Sequence, residues 1–156
     1  QSNYSILDAR IHTAKNGHAI DTFQVVTSAS PDEYREVCSL LENALAKAIT
    51  DTGPLPAPSK GRVSRRVKSF PVTPRVTLMP DEHGQSWLLN IYASDRAGLL
   101  YSVARVLARH QVNVQLAKID TLGERVEDTF LLTGPLLRQD KAQLALETDL
   151  LEALAP

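Results

Sequence analysis

The stretch AKIDTLGERVEDTF, residues 117–130, contains the pattern from which the fold can be predicted. Two runs suited to β-strands flank residues 122–124, where a glycine allows the positive φ of a tight turn. A related order occurs earlier, where ARIHT at residues 9–13 is followed by DTF at residues 21–23. The chain therefore contains an internal repeat, and each copy predicts a β-hairpin.

An amphipathic helix is predicted after each hairpin. The run SPDE, residues 30–33, combines an N-cap serine, a proline at the first helical position and a glutamate three residues after the cap. Apolar residues then recur every three or four positions from Tyr34 to Ile49, so we expect one stripe facing a sheet. In the second copy a matching segment begins at Asp140. Its buried face is expected at Leu144, Leu151 and Leu154, with Leu150 and Ala142 nearby.

The second copy also has an upstream half. Residues 87–93 alternate as a strand with one apolar face, and helical spacing follows from Leu99 to His110. A further strand is predicted at Arg75 to Met79, pairing at a sheet edge. The order indicates an α+β fold of the ferredoxin-like βαββαβ type, in which two helices cover one face of an antiparallel sheet.

The first copy starts at its second strand, without the preceding strand and helix. We therefore expect residues 1–70 to hold the later part of a first domain plus a linker, and residues 71–156 to hold a second domain. The linker spans residues 53–62 and is rich in proline and glycine. A cluster of five cations lies at Lys60, Arg62, Arg65, Arg66 and Lys68. We expect it to be a solvated strand edge or linker; the alternative is that it contacts phosphate or an acidic partner. We expect the chain to be a fragment cut inside the first repeat; the alternative is that another molecule supplies the missing elements.

Composition excludes several classes of protein. The formal net charge of -1 gives no basic field for nucleic acid, and no apolar run approaches the ~20 residues that cross a membrane. The single cysteine, Cys38, excludes an internal disulfide and a multi-cysteine metal site. We expect Cys38 to be a buried apolar residue and the protein to be cytoplasmic.

The segment DRAGLL, residues 95–100, is the strongest candidate site because it joins a strand to the first turn of a helix. Free N–H groups and the helix dipole there can hold a carboxylate or phosphate, and Gly98 lets a ligand approach the backbone. The structural alternative is that Asp95 only caps the helix and Gly98 only turns the chain. Spacing alone does not decide between the two.

Together, DRAGLL and AKIDTLGERVEDTF resemble the ACT domain, a small-molecule-sensing regulatory module of amino-acid metabolism. With the partial first repeat, nearly the whole chain resembles the tandem C-terminal ACT domains of the bacterial bifunctional uridylyltransferase/uridylyl-removing enzyme family. Ala97 departs from the proline often found at that position, a change that loosens the turn but keeps the glycine.

This resemblance implies an allosteric glutamine sensor in the regulation of nitrogen metabolism. In that family the ACT pair binds glutamine and switches the enzyme between uridylylating and deuridylylating the PII protein. The resemblance implies no catalytic residue, metal site or cofactor in this fragment. Nucleotidyltransferase and hydrolase domains, with Mg²⁺, would lie upstream, because the sequence has no Gly-Ser pair, no Asp-x-Asp and no adjacent His and Asp.

The resemblance also suggests roles for individual residues. Asp95 would accept the α-amino group of the ligand, within a loop completed by Arg96 and Ala97. Backbone N–H groups of Gly98, Leu99 and Leu100 would hold the α-carboxylate. Asn113 could offer its amide to the glutamine side chain, although a strand-end asparagine with only a structural role is the alternative.

Two other functions stay open at this stage. The first is a ligand-free ACT-type interaction module whose sheets pair with each other, forming a homodimer. The second is the amino-acid-sensing ACT region of another metabolic enzyme. The expected binding partners are glutamine, the upstream catalytic domains, the PII protein and a second ACT sheet in a homodimer. We expect no binding to nucleic acid or to a membrane.

Overall fold

A computed structural model describes residues 5–14, 16–27, 30–54, 56–57 and 72–155. Within these ranges the chain forms six strands and three α-helices. The strands are β1 (Ser5–Thr13), β2 (Ala19–Val26), β3 (Arg75–Pro80), β4 (Trp87–Ser94), β5 (Asn113–Leu122) and β6 (Arg125–Thr133). The helices are α1 (Tyr34–Thr50), α2 (Leu99–Arg109) and α3 (Asp140–Leu154), and short 3-10 turns at Pro31–Glu33 and Pro135–Arg138 precede α1 and α3.

All six strands form one antiparallel sheet in the order β2-β1-β5-β6-β4-β3. Both predicted hairpins, β1–β2 and β5–β6, are present, and β3 pairs with β4 at the edge. The predicted class, an α+β fold of the ferredoxin-like type, is confirmed. The second copy has the strands and helices of one domain, and the described residues of the first form a hairpin and a helix.

The core lies between the second copy's strands and its two helices. Along β4, residues alternate between buried and half-buried, as expected for a strand with one face against helices. From α3 the core receives Leu146, Leu150 and Leu154, which are spaced by one helical turn. The prediction was therefore right for Leu150 and Leu154, whereas Leu144 and Leu151 are exposed.

Helix α1 forms where it was predicted but does not pack as predicted. Glu33 accepts hydrogen bonds from the Ser30 N–H and hydroxyl, each at 2.8 Å, and so fixes the start of the helical region. No residue of α1 is buried, and Cys38 is exposed, so both burial predictions were wrong. The equivalent helix α3 packs on α2 and β3, and the described part of the first copy has no counterpart of either.

The two copies join through β1 and β5, along a seam with approximate twofold symmetry. Arg10 and Lys118, which occupy equivalent positions in the repeat, lie directly opposite each other. The equivalent threonines close the two ends of this seam. The Thr13 hydroxyl donates to the Val114 carbonyl and the Thr121 hydroxyl donates to the Ile6 carbonyl, both at 3.1 Å.

Part of the predicted linker and the whole cation cluster at residues 60–68 lie outside the described residues. The boundary expected between residues 70 and 71 therefore stays a prediction. In the described part of the chain, no helix is both long enough and apolar enough to cross a membrane.

Candidate functional site

The loop from Asp95 to Leu100 connects the end of β4 to the start of α2. The Asp95 N–H donates to the Glu124 carbonyl at 2.8 Å, which ties the loop to the β5–β6 turn. Gly98 occupies the N-cap position with φ of 77°, in the left-handed region that favours glycine. The turn expected at Gly98 is therefore present, and the approach of a ligand to its backbone stays a prediction.

The backbone donors in this loop are already partly used. The Leu99 N–H donates to the Arg96 carbonyl at 3.1 Å, closing the turn before the helix. The Gly98 carbonyl accepts from the Ser102 N–H at 2.9 Å and from the Ser102 hydroxyl at 3.0 Å. Of the three backbone N–H groups expected to bind a carboxylate, the one on Leu99 therefore already has an acceptor within the loop.

Arg96 extends from the loop toward the end of the last helix. A terminal nitrogen of its half-buried guanidinium donates to the Ala153 carbonyl in the final turn of α3. A cation is favourable there, because the carbonyl end of a helix carries partial negative charge. The Nε atom of Arg96 is buried without a hydrogen-bond partner. Arg96 thus links the candidate loop to α3, while Ala97 is exposed.

Asp95 is half-buried, and its environment disfavours the charged form. Burial raises the pKa of the Asp95 carboxyl above its usual value. The backbone N–H of Arg96 lowers this pKa, and the nearby Glu124 carboxylate raises it. A cationic group near Asp95 would stabilise the ionised carboxylate.

The structure adds a second carboxylate, Asp128, which was not among the predicted site residues. Asp128 is only 2% exposed and lies opposite Ile91, on the side of the sheet that faces the helices. Its Oδ1 atom is buried without a hydrogen-bond partner. The alternation of apolar residues on either side, at Val126, Phe130 and Leu132, could have revealed this inward orientation.

The burial of Asp128 has a strong electrostatic effect. Burial raises the pKa of its carboxyl to about 7. A backbone hydrogen bond from Asp120 opposes the increase, and the carboxylates of Asp120 and Asp95 add to it. Asp95 and Asp128 therefore influence each other at the end of the sheet where α2 begins.

Asn113 is not brought to this loop. It is the first residue of β5 and pairs with Thr133, next to the end of β4 that starts with Trp87. Asp95 follows the opposite end of β4, a strand of eight residues. At roughly 3.3 Å per residue, the two positions are separated by about 25 Å within this domain.

The described residues contain no group of three or more His, Cys, Asp or Glu side chains that could hold a metal ion. A shallow groove lies on the opposite side of the sheet from the helices. Its lining includes Arg75, Tyr92 and Glu127, and the Arg75 guanidinium lies 4.8 Å from the centre of the Tyr92 ring. The candidate loop and this groove are separate features.

Comparison with known proteins gives consistent results. Residues 87–147 match the ACT domain family. The chain is 57% identical to the bifunctional uridylyltransferase/uridylyl-removing enzyme of Ralstonia nicotianae, over 97% of this chain and 18% of that enzyme. It is 51% identical to the enzymes of the same name from Burkholderia lata and Burkholderia vietnamiensis, over 99% of this chain and 18% of each enzyme.

The chain thus spans about a fifth of the length of these curated relatives, and the similar region is their C-terminal part. No solved structure matches the chain. The order of strands and helices in the second copy agrees with the family match over the same residues. Residues 87–147 of this chain therefore resemble the ACT domain family in sequence and in the order of their strands and helices.

Proposed function

We propose that this chain is the non-catalytic, glutamine-sensing ACT region of a bifunctional uridylyltransferase/uridylyl-removing enzyme that modifies the PII protein. The similarity to enzymes of that name along nearly the whole chain supports this assignment. In this proposal, glutamine binds beside the loop from Asp95 to Leu100 and favours one arrangement of the ACT region over another. That difference in affinity shifts the balance between the two activities.

One observation supports an amino-acid ligand above the others. Asp128 is a buried carboxylate with an unpartnered oxygen, and it interacts electrostatically with Asp95 near the start of α2. A buried acceptor without a donor is costly, and an ammonium group would satisfy it. The positive end of the α2 dipole favours a negative group nearby. A zwitterion supplies both charges.

The catalytic residues and their Mg²⁺ belong, in this proposal, to the part of the enzyme outside this chain. The described residues provide no cluster of ligands suited to that metal. The low cysteine content supports a reducing compartment, and we propose the cytoplasm. The upstream catalytic domains and PII are the proposed protein partners.

Titration calorimetry with glutamine, glutamate and asparagine tests the binding proposal. We expect glutamine to bind most tightly and Asp95→Asn to weaken its binding at least about tenfold, the equivalent of 1.4 kcal/mol. Asp140→Asn is the matched control, because Asp140 is an exposed aspartate at the start of α3. This variant should bind glutamine with the affinity of the wild type. Absence of glutamine binding to the folded wild-type chain, or full affinity in Asp95→Asn, would contradict the proposal.

Gly98→Val provides a second test of the same site. A side chain at this position should impair both the left-handed turn and the approach of a ligand to the backbone. Thermal unfolding of the variant must be measured alongside its affinity, so that lost binding can be separated from lost structure. A folded Gly98→Val variant with unchanged glutamine affinity would place the ligand elsewhere.

A ligand-free interaction module is the second candidate function. The exposed apolar side chains on the side of the sheet opposite the helices favour it. Association that depends on protein concentration, without any response to amino acids, would support this function instead of glutamine sensing.

A further inference from the structure

The side of the sheet opposite α2 and α3, here called the open face, has an ordered surface. Cross-strand pairing aligns its side chains in rows that cross all six strands. One row is almost entirely apolar, and we call it the apolar row. Its members, from one sheet edge to the other, are Met79, Leu88, Leu131, Leu116, His12 and Ile20.

The apolar row is substantially exposed to solvent. The exposed fractions are 50% for Met79, 48% for Leu116 and 71% for Ile20, while Leu88 and Leu131 are half-buried. Scattered exposed apolar residues are ordinary, but a contiguous row that crosses a whole sheet indicates an interaction surface. Such a surface needs a partner with an equally apolar centre.

The charged side chains on the open face nearly balance one another. Four are cationic, at Arg10, Arg75, Lys118 and Arg125, and three are anionic, at Asp8, Asp120 and Glu127. Lys118 and Asp120 approach to 2.7 Å, Arg125 and Glu127 to 3.5 Å, and Arg10 and Asp8 to 3.9 Å. The face is therefore close to neutral, and most of its charges have partners within it.

We propose that the open face packs against the open face of a second copy of this chain. In a twofold interface the same surface occurs on both subunits, so its apolar and charged groups must be complementary to themselves. An apolar row beside nearly equal numbers of cationic and anionic side chains meets this condition. A strongly acidic or basic partner would instead place like charges against half of these groups.

The available area is sufficient for such an interface. Six strands about 4.8 Å apart and three rows about 6.6 Å apart cover roughly 29 Å by 20 Å. Two such faces in contact would bury on the order of 1,000 Å², the lower limit of specific protein–protein interfaces. Stacked sheets about 10 Å apart would let the apolar rows interdigitate.

The molecule has another exposed apolar surface, which the experiment must separate from this one. On the helix-facing side of the first copy, Phe23 and Val25 are exposed, and Leu45 and Ile49 are exposed on α1. Because these residues lie on the other side of the sheet or on a helix, substitutions can distinguish the two surfaces.

Sedimentation velocity of the full chain over a range of concentrations tests the proposal. We expect the wild type to form dimers and Leu116→Lys to raise the dimer dissociation constant at least about tenfold, with Met79→Lys acting in the same direction. Phe23→Lys and Leu144→Lys are matched controls at exposed apolar positions away from the open face, and they should dimerise like the wild type. A monomeric wild type, a Leu116→Lys variant that dimerises normally, or loss of the dimer in Phe23→Lys would overturn the proposal.

Lysine labelling of the wild-type chain gives a test that requires no variant to fold. Lys118 lies on the open face, whereas Lys141 is exposed on α3. As concentration increases, acylation of Lys118 should slow while that of Lys141 stays constant. Equal labelling behaviour of the two lysines across the range would contradict burial of the open face.

Discussion

Asp128 places an ionisable group among apolar side chains, and its charge therefore affects stability. The pKa of its carboxyl is about 7 in the folded chain, against an ordinary value of 3.8. Between these values the folded state holds a proton that the unfolded state releases. The free energy of unfolding should consequently fall as the pH rises from about 4 to about 7, and level off above that range.

We expect Asp128→Asn to remove this pH dependence and to be more stable than the wild type above pH 7. This substitution should remove a slope of at most about 1.4 kcal/mol per pH unit in the free energy of unfolding. Water entering around the carboxylate would make the slope smaller. Urea unfolding at several pH values measures the effect, with Asp140→Asn as an exposed control. A wild type whose stability rises between pH 4 and pH 7, in parallel with Asp128→Asn, would contradict the assignment.

Gly98 makes a different residue-level prediction, which concerns backbone conformation. Its φ of 77° is unfavourable for residues with a Cβ atom, so Gly98→Ala should cost about 1–2 kcal/mol. Gly134→Ala is the matched control, because Gly134 is extended and an added Cβ would come no closer than 3.6 Å to its nearest neighbour. Chemical denaturation should show a clear loss for the first variant and little change for the second.

For single residues, the sequence predicted backbone conformation better than it predicted the burial of side chains. Glycine between a strand and a helix predicted a turn at Gly98, because few other residues tolerate that conformation. The burial of Asp128 depends on which side of β6 its side chain faces. The repeated Asp-Thr-Phe pattern does not predict that side. Its counterpart Asp21 is exposed, so one motif has two environments.

The seam between β1 and β5 is the main feature at the scale of secondary-structure elements. Thr13 and Thr121 make equivalent hydrogen bonds to the opposite copy. Replacing either by valine keeps the shape and leaves a carbonyl without this donor, which should cost about 1 kcal/mol. We expect similar losses for Thr13→Val and Thr121→Val, measured by urea denaturation.

Thr22→Val serves as the control for the seam, because Thr22 is an exposed strand threonine on β2. Its free energy of unfolding should stay within about 0.5 kcal/mol of the wild type. A loss in Thr22→Val as large as in the seam variants would mean that strand propensity, and not the seam bond, determines the effect.

The hairpins, both helices after them and the edge position of β3 were predictable from alternation, turn residues and caps. The seam was not, because pairing between the two copies depends on hydrogen bonds between distant strands and leaves no local pattern. The same limit applies to Asn113, which was expected near the ligand. Strand order places it at the opposite end of β4 from Asp95.

For the whole molecule, stability should be distributed unevenly between the two copies. Leu150 on α3 is fully buried, whereas Leu45 on α1 is exposed. Leu150→Ala should therefore cost about 2–5 kcal/mol, and Leu45→Ala should change the free energy of unfolding by less than about 0.5 kcal/mol. Thermal and urea unfolding of both variants test this contrast. Equal losses would show that α1 packs in solution.

The helical stripe in α1 shows why the sequence misled at this scale. Periodicity predicts which side of a helix is apolar, but burial also requires a surface to receive it. In the second copy α2 and β3 provide that surface for α3. The described part of the first copy has neither, so the same kind of helix stays exposed.

The closed ends of the seam also restrict how the two copies can move. Sliding β1 along β5 by one residue would turn Ala9 from the core to the other side, because strand side chains alternate with a period of two. Sliding by two residues would keep the faces but separate both threonines from their carbonyls. Translation along the seam is therefore opposed at both steps, and the two copies are held in one register.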